Sequence, residues 1–580
     1  MDKTTPIVVR FARGGPHENV KLTKEETYYV SVDNGPREIF QSPWDEEELD
    51  DIIRVLRNNE TDERPDIKRL EEIGIQLADA AAKVTQLVAK LMGAVPGRRC
   101  VYWQLDYPEL ARIPWELMTY PVSPHHHILL DPNISFVRTV PLFQTAPPCE
   151  WPTGLKKTLR LLFVWGETAG KDVPNKDHED VLNEICNANG IELTAREIKT
   201  IADLQSLVQD TTFDFVHILA HGARTKHGQW GLGLADEAVK GAQIARTLVN
   251  ADGAPALVTL AACDSGGIED NQFGSVAYEL HAEGIPMVLA SQFRLRKSAS
   301  NLSVVKVYKD LLSGEHPLNA LTDLRRQLSP TDNEAWANDV LYLNYAPDTM
   351  DRGALVGKQQ AILRRARVLD RQYKDSTLPE EGRSAAIATL EAQITKLNKL
   401  VQLNFDLSET YGLLGSMTRR IAYLRKLPPD MFDLEKARDY YRKGVKPQSG
   451  AYYPGINAIH LSLLIGDHEE AKRLSNIVRF LLDDAMDGGS ISYWVYASAG
   501  ELEVYAGRAQ EARNHYRKFV EEEKAVVSDK ARRRDEIGAA FRQLQQFLAH
   551  PSVFEVSTNA PVVEAAKVSL TYLMNELERL

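Results

Sequence analysis

The chain has 580 residues, 43% of them hydrophobic and 26% charged, a globular balance that argues against disorder and, at roughly 150 residues per core, for about three or four domains. A net charge of −12 and a pI near 5.7 argue against non-specific nucleic-acid binding, which needs clustered Lys and Arg; the basic run Lys530-Ala531-Arg532-Arg533-Arg534 reads as a solvated helix face. No run reaches the roughly 18 apolar residues of a membrane span, and the first residues lack the apolar core of a signal peptide. The four cysteines, Cys100, Cys149, Cys186 and Cys263, are scattered without paired spacing, so neither a disulfide framework nor a zinc ribbon is indicated. We therefore expect a cytoplasmic protein with free thiols, without cofactor or metal, and with no nucleic acid or membrane as partner.

Residues 1 to 98 read as an N-terminal α+β accessory region. It opens on the alternating strands Pro6-Ile7-Val8-Val9-Arg10-Phe11 and Thr27-Tyr28-Tyr29-Val30-Ser31-Val32, turns helical from Asp45, and carries one packing helix from Arg69 through Leu77 to Val84, Leu87, Val88 and Leu91. Residues 99 to 157 are strand-rich, with 100–105 and 134–140 flanking Ile113-Pro114-Trp115-Glu116-Leu117-Met118. They contain the run His125-His126-His127, read as a loop because no Cys or carboxylate cluster stands near it, and end in a Pro-rich linker, 146–152.

From 158 to 350 strands and helices alternate, the pattern of an α/β domain with a mainly parallel sheet. Strands are expected at 159–164, 192–197, 213–220, 256–262, 286–291 and 340–343, with helices near 179–188, 201–208, 274–283, 299–312 and 317–328. Their near-continuous apolar strands imply burial on both faces. After residue 355 strand signals vanish, and 355 to 580 reads as an all-α solenoid that binds a partner. Gly415, Gly466 and Gly507 are expected near helix ends and Ala437, Ala471 and Ala512 where helices approach closely; Gly500, Gly507, Ala512 and Tyr516 fit a tetratricopeptide helix pair.

The chemistry stands at two strand ends. Phe215-Val216-His217-Ile218-Leu219-Ala220-His221-Gly222 closes on a histidine-glycine pair, and Leu257-Val258-Thr259-Leu260-Ala261-Ala262-Cys263 closes on a cysteine 42 residues after that histidine, the order and approximate spacing of caspase-type enzymes. A thiolate is the nucleophile that attacks a peptide carbonyl, and a neighbouring imidazole lowers its pKa and then protonates the leaving amine. His221 and Cys263 fit these roles, with the backbone amides of Gly222 and Cys263 as oxyanion donors. Cys100 and Cys186 read as small buried hydrophobes. His217, alternating with His221 along its strand, reads as a structural or supporting group facing the same side. His227, close behind Gly222, stands where it would edge the cleft and is assigned no chemistry, and Ser265 lacks a nucleophile elbow.

On these residues, together with Ile113-Pro114-Trp115-Glu116-Leu117, 273–280 and 284–293, the stretch 99 to 346 resembles the CHAT domain of caspase- and separase-related cysteine peptidases, with 158 to 350 as the caspase-like peptidase core. Phe293 departs from the tryptophan the family often has there. The resemblance implies His221 as general base and acid and Cys263 as nucleophile. It also implies a pocket for the residue before the scissile bond, built from loops after the catalytic strands. Those loops hold Asp236, Asp264, Glu269 and Asp270, which would favour Lys or Arg, although Arg294, Arg296 and Lys297 offer the opposite charge. Residues 437–444, 452–458 and 464–467 are similar to the tetratricopeptide-like TRAF-binding region of apoptosis signal-regulating kinases. In bacteria such pairings of CHAT domain and solenoid are associated with antiviral defence and regulated cell death. They imply a protein substrate, cleaved as a partner protein, and a protein activator or inhibitor bound by 355 to 580. The alternative is a non-catalytic caspase-like scaffold that recruits partners through its helices; a nucleotide sensor lacks a phosphate loop or basic stripe in this sequence.

Overall fold

The computed structural model of the chain describes residues 4–13, 21–57, 67–93, 97–121, 123–140, 159–167, 173–226, 230–235, 237–249, 253–262, 275–293, 297–329, 335–345, 347–373, 378–426, 429–445, 452–487, 492–526, 530–550 and 560–579. They fall into two compact units, Met1–Ala361 and Ile362–Leu580.

In the first unit the strands are β1 (Thr4–Arg13), β2 (Tyr28–Val32), β3 (Glu38–Phe40), β4 (Arg98–Gln104), β5 (Thr119–Tyr120), β6 (Ser123–His127), β7 (Ile134–Thr139) and β8 (Arg160–Trp165). There follow β9 (Glu192–Glu197), β10 (Phe215–Leu219), β11 (His221–Arg224), β12 (Trp230–Gly233), β13 (Ala238–Val239), β14 (Leu257–Ala261), β15 (Met287–Ser291) and β16 (Asp339–Leu343). Eleven of them form one sheet in the order β3-β2-β1-β4-β7-β16-β15-β14-β10-β8-β9. Seven of its ten neighbouring pairs are parallel; β1–β2, β2–β3 and β15–β16 are antiparallel. The sheet runs unbroken from the N-terminal strands to β9, since β1 pairs along seven residues with β4.

Burial on both faces explains the apolar strands. Leu161, Phe163, Phe215, Leu219, Leu257 and Ala261 share one core with the helices Asn175–Asn189 and Lys297–Leu312. The alternate residues Leu162, Val164, Val216, Ile218, Val258 and Leu260 share another with Ile201–Val208, Gly241–Leu248 and Val276–Ala282. A period-2 backbone buried on both sides leaves no polar face to read, so these strands appear as unbroken apolar runs.

Three local expectations are corrected. The packing helix is two helices, Ile67–Ala82 and Thr85–Met92. The Glu38 carboxylate accepts hydrogen bonds from the Thr85 hydroxyl and, at 3.0 Å, from the Gln86 amide, so β3 supplies an N-terminal cap that restarts the helix. The histidine run is strand β6, not a loop. His127 Nδ1 lies 2.7 Å from the Leu117 carbonyl and its ring 4.7 Å from that of Trp336, contacts that hold a polar segment extended. Gly415 sits within the helix Leu407–Arg425, not near its end. The linker 146–152 lies outside the described residues.

In the second unit every described element is helical. Tyr493–Tyr505 and Ala509–Val526 form the expected tetratricopeptide-like pair, with Gly507 at φ +73° in the turn and Ala512 buried. A Cβ on Gly500 would stand 3.0 Å from the Tyr516 ring, and one on Gly415 would stand 2.6 Å from the Tyr441 ring. The same device, a glycine under a buried tyrosine of the following helix, recurs in the two pairs.

Candidate functional site at the strand ends

β10 lies between β8 and β14, parallel to both, so the carboxyl ends of three strands stand side by side. Leu219 pairs with Ala261 and with Trp165. Beyond this last rung the Gly166 amide donates to the Leu219 carbonyl at 3.0 Å and the Ala220 amide reaches the Ala261 carbonyl at 3.4 Å. His221 is the second residue past the rung on one strand, and Cys263 is the second past it in the sequence of the other. Active sites of parallel sheets form at such ends, where loops diverge and leave a crevice.

At His221 the chain leaves the large sheet and enters a small antiparallel one, β11-β12-β13, which the sequence reading missed. His221 pairs with Gly233 and Gly222 with Leu232. Gly166 packs so tightly against this sheet that a Cβ would stand 2.6 Å from Leu234 Cδ2 and 2.9 Å from the Gly233 carbonyl oxygen, so only glycine fits where β8 ends. The partly buried His221 is thus held by backbone pairing on both sides of Ala220. Cys263 and the acids Asp236, Asp264, Glu269 and Asp270 lie outside the described residues, as do His227, Ser265, Arg294 and Arg296.

His217 does not share the exposure of His221. It is fully buried in the middle of β10, and burial, with His178 beside it, pushes its pKa well below that of ordinary histidine, so it is neutral. Its Nδ1 lies 2.6 Å from Thr259 Oγ1 and its Nε2 3.0 Å from His178 Nδ1; Thr259 Oγ1 lies 2.5 Å from the Tyr308 hydroxyl, and His178 Nε2 lies 3.2 Å from Ser300 Oγ. A cavity of about 30 Å³ beside this chain is also lined by Ser291, Ser303 and Asp339. Burial pushes the Asp339 carboxyl up to about 6, against the pull of Arg325.

A second buried network anchors the neighbouring strand end. Arg138 on β7 donates to Glu116 through Nε at 2.9 Å and Nη2 at 2.6 Å, to the Ala111 carbonyl at 2.8 Å and to Gln292 Oε1 at 3.1 Å. Gln292, the residue after β15, donates to Glu116 at 3.2 Å and to the Ala337 carbonyl at 2.8 Å. Burial works against the Arg138 charge, yet Glu116 holds its pKa above the ordinary arginine value. The Pro-Trp-Glu motif is thereby explained: Trp115 fills the core and Glu116 neutralises a buried guanidinium. Reading the sequence singled out Glu116 and Gln292 as motif residues but offered no signal for Arg138, Thr259 or Tyr308, whose types are common and whose partners are distant.

Cys100 and Cys186 are buried free thiols, both pushed up to about 12 by burial, and neither is a nucleophile at neutral pH. Among the described residues no helix is long and apolar enough to cross a membrane.

Comparison with known families agrees with this architecture. A family model described as CHAT domain matches residues 71–360, half of the chain, and one described as Tetratricopeptide Repeats-Sensor matches residues 334–463. No curated protein matches the chain.

Proposed function

Because the chain belongs to the CHAT-domain family, a family of caspase-like cysteine peptidases, we propose that it is itself a cysteine endopeptidase acting through His221 and Cys263. The observation that supports this most is the register of β10 and β14, whose last paired residues stand two positions before the histidine and, in sequence, two before the cysteine. In this reading His221 takes the Cys263 proton and the thiolate sulfur bonds to the scissile carbonyl carbon. The oxyanion accepts hydrogen bonds from the Gly222 and Cys263 amides, and the C–N bond breaks as His221 protonates the leaving amine. Water, deprotonated by His221, then attacks the acyl carbon and releases the thiolate. The carboxylates Asp236, Asp264, Glu269 and Asp270 would receive Arg or Lys before the scissile bond, and a peptide library cleaved preferentially after Asp or apolar residues would reject that pocket.

The helical unit, with its sensor-type repeats, suits recognition of another protein, and we take it as the place where an activator or inhibitor binds in residues 355 to 580. The whole is best read as a regulated effector of a cytoplasmic antiviral-defence or cell-death response that cleaves a partner protein. In the full chain, Cys263→Ala and His221→Ala should each abolish cleavage with the melting temperature nearly unchanged, and the double variant should be no worse than either, because the pair acts as a unit. Residual cleavage within about tenfold of wild type in Cys263→Ala would reject the assignment and favour a scaffold.

A further inference from the structure

The buried chain Tyr308–Thr259–His217–His178 has no part in the chemistry just described. Its four side chains come from four elements: Thr259 from β14, His217 from β10, Tyr308 from the helix Lys297–Leu312 and His178 from the helix Asn175–Asn189. His217 and Thr259 are register partners in the parallel ladder, so their 2.6 Å hydrogen bond ties β10 to β14 side chain to side chain, beyond the backbone pairing. It does so four residues before His221 on one strand and four before Cys263 in the sequence of the other.

Thr259 Oγ1 lies 2.6 Å from His217 Nδ1 and 2.5 Å from the Tyr308 hydroxyl, with the Val216 carbonyl at 3.5 Å, the limit for a hydrogen bond. On its other nitrogen the neutral His217 is joined to His178 Nδ1 at 3.0 Å, one ring donating and the other accepting. The links to His217 and to Tyr308 both need the Thr259 hydroxyl in its place, and all four groups are buried.

We propose that His178, His217, Thr259 and Tyr308 are positioning residues that set the relative height of the ends of β10 and β14 and thereby the approach of the His221 imidazole to the Cys263 thiol. The inference rests on the reading of His221 and Cys263 as a catalytic pair. Backbone ladders tolerate small slides and twists; a side-chain chain bridging two strands and the two helices packed on them restrains that freedom at the rung His217–Thr259. A group held this way acts on the geometry of the pair, so it changes kcat and the thiol's reactivity more than KM.

The test uses the full chain and the pH profile of Cys263 alkylation by iodoacetamide, read by mass spectrometry of the Cys263 peptide, beside kcat and KM. Thr259→Val keeps the volume and removes the hydroxyl, and Thr259→Ser restores it. We expect Thr259→Val to move the midpoint of the alkylation profile up by about one pH unit, which slows alkylation about tenfold at pH values below the wild-type midpoint, and to lower kcat with KM nearly unchanged, while Thr259→Ser returns both toward wild type. Tyr308→Phe, which removes only the terminal hydroxyl, should move both in the same direction and serves if Thr259→Val does not fold. A role in stability alone would lower the melting temperature and leave the alkylation profile of the folded protein where it was, and that outcome overturns the inference. So would Thr259→Ser behaving like Thr259→Val. If instead the wild-type thiol titrates like a free cysteine and ignores His221→Ala, the catalytic pair itself is wrong and the inference falls with it.

Discussion

Replacing Glu116 with glutamine should be among the most damaging single-residue changes in the first unit, although it is nearly isosteric. Glu116 and Arg138 are 2% and 1% exposed, so the variant leaves a guanidinium buried without its counter-charge. Removing one partner of a buried ion pair costs about 3–5 kcal/mol. The lower end applies, because Arg138 keeps the Ala111 carbonyl at 2.8 Å and Gln292 Oε1 at 3.1 Å as acceptors, whereas the new amide NH₂ turns a donor toward donors. A unit of 361 residues has an unfolding entropy of about 0.75 kcal/mol per degree, so about 3 kcal/mol corresponds to a melting temperature lower by about 4 °C. The stacked pair Trp103 and Trp115, with ring centroids 4.4 Å apart in the same core, makes fluorescence-detected melting the natural assay. The double replacement Glu116→Leu with Arg138→Met should recover most of the loss, since the two charges then leave together. A fall of under about 1 °C in Glu116→Gln, or a double variant no better than the single, would refute the account.

Gly415→Ala should destabilise the second unit by about 1–3 kcal/mol, because its Cβ would meet three Tyr441 ring atoms at 2.6–2.8 Å and that ring is wholly buried; a melt unchanged from wild type would contradict the packing. Tyr441→Phe should not rescue it, as the clash is with the ring and not the hydroxyl. Burial raises the Glu501 carboxyl to about 8, with Arg419 pulling the other way. The folded state therefore holds a proton that the unfolded chain releases near the ordinary glutamate value, and the stability this carboxyl contributes is present in full below about pH 4.5 and lost as pH rises through about 8. Glu501→Gln should accordingly melt above wild type at pH 8 and converge with it toward pH 5; a gap that widens on acidification would reverse the sign and sink the reasoning.

Elements whose signal is local could be read from the order of the residues. β10 and β14 were legible because a strand buried on both faces has no polar alternation, and the helix Pro317–Leu328 because proline opens it and its apolar residues recur with helical period. The candidate pair was legible for a similar reason: His221 and Cys263 each close an apolar run, and residues at strand ends can be counted without knowing the neighbours. Tertiary structure alone decided the rest. The small sheet β11-β12-β13 has strands of only four, four and two residues, too short to show a period, that hold together by pairings such as His221 with Gly233, and β16 lies antiparallel against β15 while running parallel to β7. Glu38 restarts a helix 47 residues away, His217 finds His178 across 39 residues, and Gln292 reaches Glu116 across 176. Periodicity is written between near neighbours, whose spacing the backbone imposes. The partner of a buried charge or imidazole is chosen by whichever side chain the completed fold brings within hydrogen-bond reach, and that choice leaves no trace in the order of the residues.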